Sequence, residues 1–202
     1  MKLYFTPGAC SLATHIAFKE AGLAFDPVKV DLKAKKTAQG ADYLAINPKG
    51  AVPAIGLDNG ETLTEVAVTL QYVADQKPDA GLIPAAGTLA RYRVLEWLNY
   101  ISSEVHKGFG PLWNPKNSDE VKKAARDGLA SKFDFLSKVL AGKTFLAGDS
   151  FGVADAYLYT ILNWGQWTDI DMAKWPVLAA YMARVAARPG VHAALVAEGL
   201  AK

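Results

Sequence analysis

Lys2-Leu3-Tyr4-Phe5-Thr6-Pro7-Gly8-Ala9-Cys10-Ser11-Leu12 opens the chain, and how this stretch is read decides the fold. Lys2 to Phe5 crowds aromatic and apolar side chains together, the mark of a short strand. Thr6-Pro7-Gly8 breaks it, because Pro fixes φ and Gly permits a sharp reversal. From Ser11 the spacing turns helical, with Leu12, Ile16 and Lys19/Glu20 recurring on one face up to a stop at Gly22. The only cysteine, Cys10, therefore sits where strand gives way to helix. A helix N-terminus carries unpaired N–H groups and a partial positive charge, both of which favour a thiolate. Thiols so placed reach pKa values of roughly 3.5–7.5 instead of about 8.5. Most lone cysteines are instead small buried hydrophobes, and position alone weighs the two readings evenly.

Working outward, the pattern keeps alternating. Pro27–Leu32 reads as a second strand, and the Lys-rich stretch Lys33-Ala34-Lys35-Lys36 leads to a short helical segment near Asp42–Ala45. Ala54–Leu57 and Thr62–Leu63 flank Asp58-Asn59-Gly60, and Asn-Gly predicts a hairpin with a type I′ turn. Glu65–Asp75 follows as a helix with Val66, Leu70 and Val73 on one face. The order βαβαββα implies an α/β domain with a mixed sheet, assigned to residues 1–80. Lys77-Pro78-Asp79-Ala80-Gly81, with Pro84 and Gly87 beyond, reads as a linker.

Composition changes across that linker. Residues 1–80 hold eight lysines against nine acidic residues and no arginine, a net −1; the remainder is +3 and holds every Arg and Trp. Residues 87–202 read as an all-α domain: Leu89–Gly108 with an apolar stripe, a break at Pro111 and Pro115, then Asp119–Leu140, Val153–Trp167, Lys174–Arg188 and Val191–Ala197. Gly152-Val153-Ala154-Asp155 has the outline of a capping box with Gly at the N-cap, so Asp155 alone supplies a side-chain bond.

The chain has 202 residues, 51% hydrophobic and 21% charged, enough for two small domains with a real core. A net charge of +2 without a basic run argues against nucleic acid or an anionic membrane as partner. No apolar segment reaches spanning length, Met1-Lys2 opens straight into a strand pattern, and one cysteine excludes a disulfide framework. A cytoplasmic setting is expected. His15, His106, His192 and Cys10 show no metal-ligand spacing, and no metal is expected.

Three further features carry possible chemistry. Asn47-Pro48-Lys49-Gly50-Ala51-Val52-Pro53 is a loop entering a strand; a cis Pro53 would offer the Val52 backbone to an extended ligand, although an ordinary turn is the commoner outcome. Thr64-Glu65-Val66 opens a helix, whose free N–H groups with the Glu65 carboxylate suit a zwitterion; an acid complementing the helix dipole is again commoner. Asn99, Ser103 and His106 fall on one face of an ideal helix, bordering the apolar stripe, with Lys107 next.

Taken together, Tyr4 to Ser11, Asn47 to Pro53, Leu63-Thr64-Glu65, Glu96 to Tyr100 and Glu104 to Gly108 resemble the bacterial beta-class glutathione transferases, and the resemblance runs to Ala197-Glu198-Gly199-Leu200. It implies a thioredoxin-like N-terminal domain, an all-helical C-terminal domain, a cis Pro53 and a homodimer. It also implies a glutathione site: Ala9, Cys10 and Ser11 at the sulfur, Val52 and Pro53 along the cysteinyl part, and Lys35 at the glycyl carboxylate. Glu65 and the Val66 N–H would hold the γ-glutamyl end, Ser103, His106 and Lys107 would line the sulfur side, and Asn99 would reach across the dimer. Two positions depart from the family pattern. Val66 replaces the usual Gly or Ser, and Phe5 replaces a frequent Tyr, so no hydroxyl at position 5 activates the thiol.

The implied activity is detoxifying conjugation of glutathione, as co-substrate, to a small hydrophobic electrophile, with Cys10 and His106 as catalytic residues. Phe109, Leu112, Trp113 and Trp164 are candidate walls of the electrophile pocket. The rival readings are glutathione-dependent disulfide exchange or reductive dehalogenation through Cys10, and a non-catalytic binder on the same fold.

Overall fold

The computed structural model describes residues 1–202. Its centre is β1 (Lys2–Phe5), where Leu3, Tyr4 and Phe5 are all buried because both faces of the strand are covered. α1 (Ser11–Ala21) returns the chain to β2 (Asp26–Asp31), which pairs parallel to β1. Gly22 ends α1 in the left-handed conformation, its N–H closing on Lys19 and Phe18 carbonyls. β3 (Lys36–Thr37), antiparallel to β2, is a strand the sequence pattern does not predict: two residues in a Lys-rich stretch have no readable period.

α2 (Tyr43–Ile46) is capped by Asp42, whose side chain accepts the Leu44 N–H. β4 (Ala54–Gly56) and β5 (Thr62–Thr64) form the expected hairpin and complete a five-stranded sheet in the order β3-β2-β1-β4-β5. The turn is not type I′. Only Gly60 has positive φ (89°), while Asn59 uses its side chain to accept the Glu61 N–H, and Leu57 and Glu61 close the loop. The Val52–Pro53 peptide preceding β4 is cis. α3 (Val66–Asp75) buries Val66, Leu70 and Val73 against α1.

α4 (Leu89–Tyr100) starts at Thr88, whose hydroxyl accepts the Arg91 N–H. It continues as a π-helical turn over Ile101–His106, then bends into α5 (Gly110–Trp113). α6 (Asp119–Leu140) is the long outer helix, capped by Ser118. α7 (Val153–Leu162) is buried along its whole length and runs into a 3₁₀ turn at Asn163–Trp167. α8 (Pro176–Ala186) and α9 (Pro189–Ala197) both begin with proline at the first helical position, which loses no hydrogen bond there. No helix is long and apolar enough to cross a membrane.

The two parts share one core. A cluster of 42 buried residues runs from Leu3 and Phe5 through α1 and α3 into α4, α6, α7, α8 and α9. α7 is its axis, because α1 and α3 cover one side while α4 and α8 cover others. The N-terminus of α1 is thereby held against the helical part. That placement builds the site.

Candidate active site

Gly8 is the residue that fixes Cys10. It adopts φ +72°, and a Cβ there would meet the Trp167 ring at 3.0 Å. Its N–H donates to Glu198 Oε2 at 2.9 Å, and its carbonyl accepts Trp164 Nε1–H at 2.8 Å. Both partners come from the helical part. Glu198 is itself buried and bonded through Oε1 to His15 Nδ1 at 2.9 Å. Ser11, fully buried, accepts the Thr6 N–H and donates to the Thr6 carbonyl, which closes the turn from inside.

Cys10 stands at the start of α1 with its thiol donating to the Val52 carbonyl, at 3.0 Å. The N–H groups of Cys10 and Ser11 do favour its anion, as a helix start should. Burial outweighs them and, with a smaller contribution from the Glu65 carboxylate, raises the pKa to about 12. The sequence weighs an activated thiolate and an inert thiol evenly; burial favours Cys10 as a neutral thiol and a hydrogen-bond donor, because desolvation exceeds what two backbone dipoles return.

Two cavities meet at Cys10. The polar one, about 250 Å³, is lined by Asn47, Lys49, Ala51, Val52, Pro53, Thr64, Glu65 and Val66 on the sheet side. Ser102, His106, Lys107 and Tyr157 close it from the helical side. The other, about 580 Å³, is apolar and walled by Pro7, Gly8, Ala9 and Leu32 with three tryptophans, Trp113, Trp164 and Trp167. Cys10, Ala51 and Val52 belong to both. Trp113 and Trp164 pack edge to face at 5.5 Å.

The polar cavity has a charged end. Glu65 sits at φ +71°, an unusual conformation for a non-glycine residue, held at the junction of β5 and α3. Its carboxylate meets Lys49 Nζ at 2.6 Å, and Lys49 also donates to Thr64 Oγ1. Behind it the first N–H groups of α3 lack intrahelical acceptors, so an ammonium and a carboxylate can both be met here. At the helical wall, His106 Nδ1 lies 2.7 Å from the Tyr157 hydroxyl. Burial, helped by the adjacent Lys107 charge and opposed by Glu65, lowers the His106 pKa to about 4, so the ring is neutral. No group of three His, Cys, Asp or Glu side chains is placed to hold a metal ion.

Family models match this architecture in two pieces: a glutathione S-transferase N-terminal domain over residues 8–76 and a glutathione S-transferase C-terminal domain over residues 100–189. The chain belongs to the glutathione S-transferase family. The glutathione S-transferase GstA of Escherichia coli O157:H7 is 45% identical over 200 residues, spanning 99% of this chain and 100% of that protein. A sphingomonad glutathione S-transferase complexed with glutathione has a TM-score of 0.96 and 53% identity, with 100% of both chains covered. A bacterial beta-class transferase from Sphingomonas chungbukensis has a TM-score of 0.96 at 53% identity, covering 99% of this chain and 100% of that one. The transferase is of the bacterial beta class.

Within this transferase, the residues singled out from the sequence divide clearly. Cys10, Val52, Pro53, Glu65, Val66, His106 and Lys107 line the polar cavity, and Ala9 lines the apolar one. Lys35, at φ +55°, instead donates to the Gly50 carbonyl at the cavity margin. Ser11 is buried, its hydroxyl bonded to the Thr6 backbone, and it lines neither cavity. Ser103 is exposed and lies outside this chain's cleft, which Ser102 lines. Asn99 is exposed on α4, likewise away from the cleft. An α-helix would bring both Ser102 and Ser103 beside His106; the wider coil of the π turn keeps Ser102 over His106 and rotates Ser103 away. Of the expected electrophile walls, Trp113 and Trp164 are present, Phe109 is fully buried behind Trp164, and Leu112 does not reach the cavity.

Sequence reading also missed Tyr157, Lys49, Thr64 and Trp167. Lys49 and Thr64 lay inside motifs already quoted and were readable as neighbours of Glu65. Tyr157 lies on α7 and Trp167 in the 3₁₀ turn that follows it, and nothing local marks which face of this segment meets α1.

Proposed function

We propose that this transferase conjugates glutathione to small, flat, apolar electrophiles, binding the tripeptide in the polar cavity and the electrophile among the three tryptophans. The observation that carries the reading is that Cys10 and Val52 line both cavities, so a sulfur held there faces a second substrate. Glutathione would pair its cysteinyl part with the Val52 backbone and set its γ-glutamyl ammonium on Glu65 in place of Lys49. Its γ-glutamyl carboxylate would take the Val66 N–H. Lys35 lies near Gly50, on the side where a glycyl carboxylate would emerge. Residues 1–80 and 87–202 would serve as the glutathione-binding and electrophile-binding domains. A homodimer in the cytoplasm completes the reading, with Asn99 and Ser103, both exposed, free to contribute to a neighbouring subunit's site.

The chemistry needs an ionised glutathione sulfur. A free thiol has a pKa of about 8.5, and lowering it by two units takes about 2.7 kcal/mol. Each hydrogen bond to a charged acceptor supplies about 1.5–3 kcal/mol, so two donors at the sulfur suffice. The Cys10 thiol is one, since Val52 is its only partner in the cleft and the ligand backbone competes for that carbonyl. The glutathione proton leaves to water, the sulfur lone pair forms the new carbon–sulfur bond, and the electrophile's leaving group departs with its bonding electrons.

Conjugation is favoured over disulfide exchange because the Cys10 thiol is engaged with the Val52 carbonyl while a large apolar cavity for a second substrate opens beside it. Calorimetric titration with glutathione and turnover of a chlorinated nitroaromatic test the proposal in wild type and Cys10→Ala. We expect binding in both and turnover reduced by about tenfold in the variant. Absence of glutathione binding to wild type overturns the reading.

A further inference from the structure

The π turn brings His106 against α7, where the Tyr157 hydroxyl is its hydrogen-bond partner. Tyr157 is 1% exposed and its ring stands at 87° to the imidazole, so the hydroxyl is aimed by the core rather than by solvent. Trp164 packs on the other side of the imidazole, at 4.9 Å and 73°, which leaves the ring little room to turn. Nδ1 is taken by the hydroxyl, while Nε2 has no partner within the chain and belongs to a residue that lines the polar cavity.

The direction of the bond decides what His106 does. If Nδ1 carries the proton, Nε2 is a bare acceptor and the histidine is a candidate base. If the phenol donates, Nε2 carries the proton and His106 is a donor. A phenol is a better proton donor than a serine hydroxyl, and an imidazole nitrogen is the best acceptor present. Ser102, on the same face of the π turn, lies beside the phenol oxygen and favours a chain running from Ser102 through Tyr157 to His106.

We propose that Tyr157 is a positioning residue: its hydroxyl donates to His106 Nδ1, fixes the Nε2–H tautomer and aims that N–H at the sulfur of bound glutathione. This rests on the glutathione reading of the cleft, but the tautomer itself does not. His106 then stabilises the thiolate by donating a hydrogen bond and takes no proton from it. The groups facing the imidazole are Lys107 beside it, Glu65 with its partner Lys49 across the cleft, the Cys10 thiol, Ser102 and Tyr157. Among them only Tyr157 bonds the ring.

The test combines Tyr157→Phe, which keeps the ring that the core needs, with nitrogen NMR of the imidazole. In ligand-free wild type we expect a protonated Nε2 and an unprotonated, hydrogen-bonded Nδ1. In Tyr157→Phe both tautomers should appear, and the imidazole should take up its proton at higher pH. Turnover should fall by about tenfold with KM for glutathione unchanged, and the pH profile should shift upward by about one unit, the same tenfold change. His106→Ala should show the same loss, and the double variant no more than either single one. A proton on Nδ1 in wild type, or equal losses from Tyr157→Phe with and without His106, overturns the proposal. If glutathione fails to bind at all, the NMR result still decides the tautomer.

Discussion

Cys10 donates a hydrogen bond to the Val52 carbonyl, and its burial opposes the thiolate that a helix start favours. Burial lifts its pKa from the ordinary 9.0 to about 12, so near pH 8 it holds roughly a thousandfold less thiolate than a free cysteine. Alkylation of ligand-free protein by iodoacetamide should therefore be far slower than that of free cysteine. Its rate should keep rising with pH beyond 9, where the free thiol levels off. A plateau at or below the free-thiol pKa would contradict the account. The position of Cys10 at a strand–helix junction was legible in the sequence, because Pro7, Gly8 and the helical spacing after Ser11 are local signals. Its protonation state was not, since desolvation comes from Val52 and the helical part, remote in sequence.

Asp155 shows how an element start is built when the usual residue is missing. Gly152 stands at the N-cap of α7 because a Cβ there would lie 2.9 Å from the Leu82 carbonyl. The capping falls to Asp155, fully buried, which accepts the N–H groups of Gly152 and Leu146 and the Tyr181 hydroxyl. Asp155→Ala leaves two buried donors and one half-buried donor without that acceptor and should cost about 3 kcal/mol, lowering Tm by roughly 10 °C. A thermal scan showing less than a third of that loss would contradict the assignment. The one-sided cap was readable from Gly152-Val153-Ala154-Asp155, and so were most helices, whose apolar stripes follow the α period. The π turn at Ile101–His106 was not, because its composition resembles a helix and only tertiary packing selects the wider coil. The α period places both Ser102 and Ser103 beside His106, and the wider coil keeps only Ser102 there, lining the cleft.

At the scale of the whole molecule, the helical part holds the Gly8–Cys10 turn. Glu198, next to the end of α9, bonds Gly8 N–H and His15, while Trp164 bonds the Gly8 carbonyl. Arg91 reaches back to Asp75, and Arg188 to Glu20. With one shared core, denaturant unfolding should be a single cooperative transition. Glu198→Ala leaves the Gly8 N–H and His15 without their acceptor and should lower stability by about 3 kcal/mol, and should reduce turnover as the Gly8–Cys10 turn loosens. Two resolved transitions, or a stable Glu198→Ala variant with full activity, would contradict this coupling. The central claim, that a glutathione sulfur is held where the two cavities meet, is tested most directly by a crystal structure with glutathione bound. The account predicts its sulfur within hydrogen-bond distance of Cys10 Sγ and His106 Nε2, with Glu65 released from Lys49 onto the γ-glutamyl ammonium. A sulfur lying elsewhere, or Glu65 still paired to Lys49 with the tripeptide present, would contradict it.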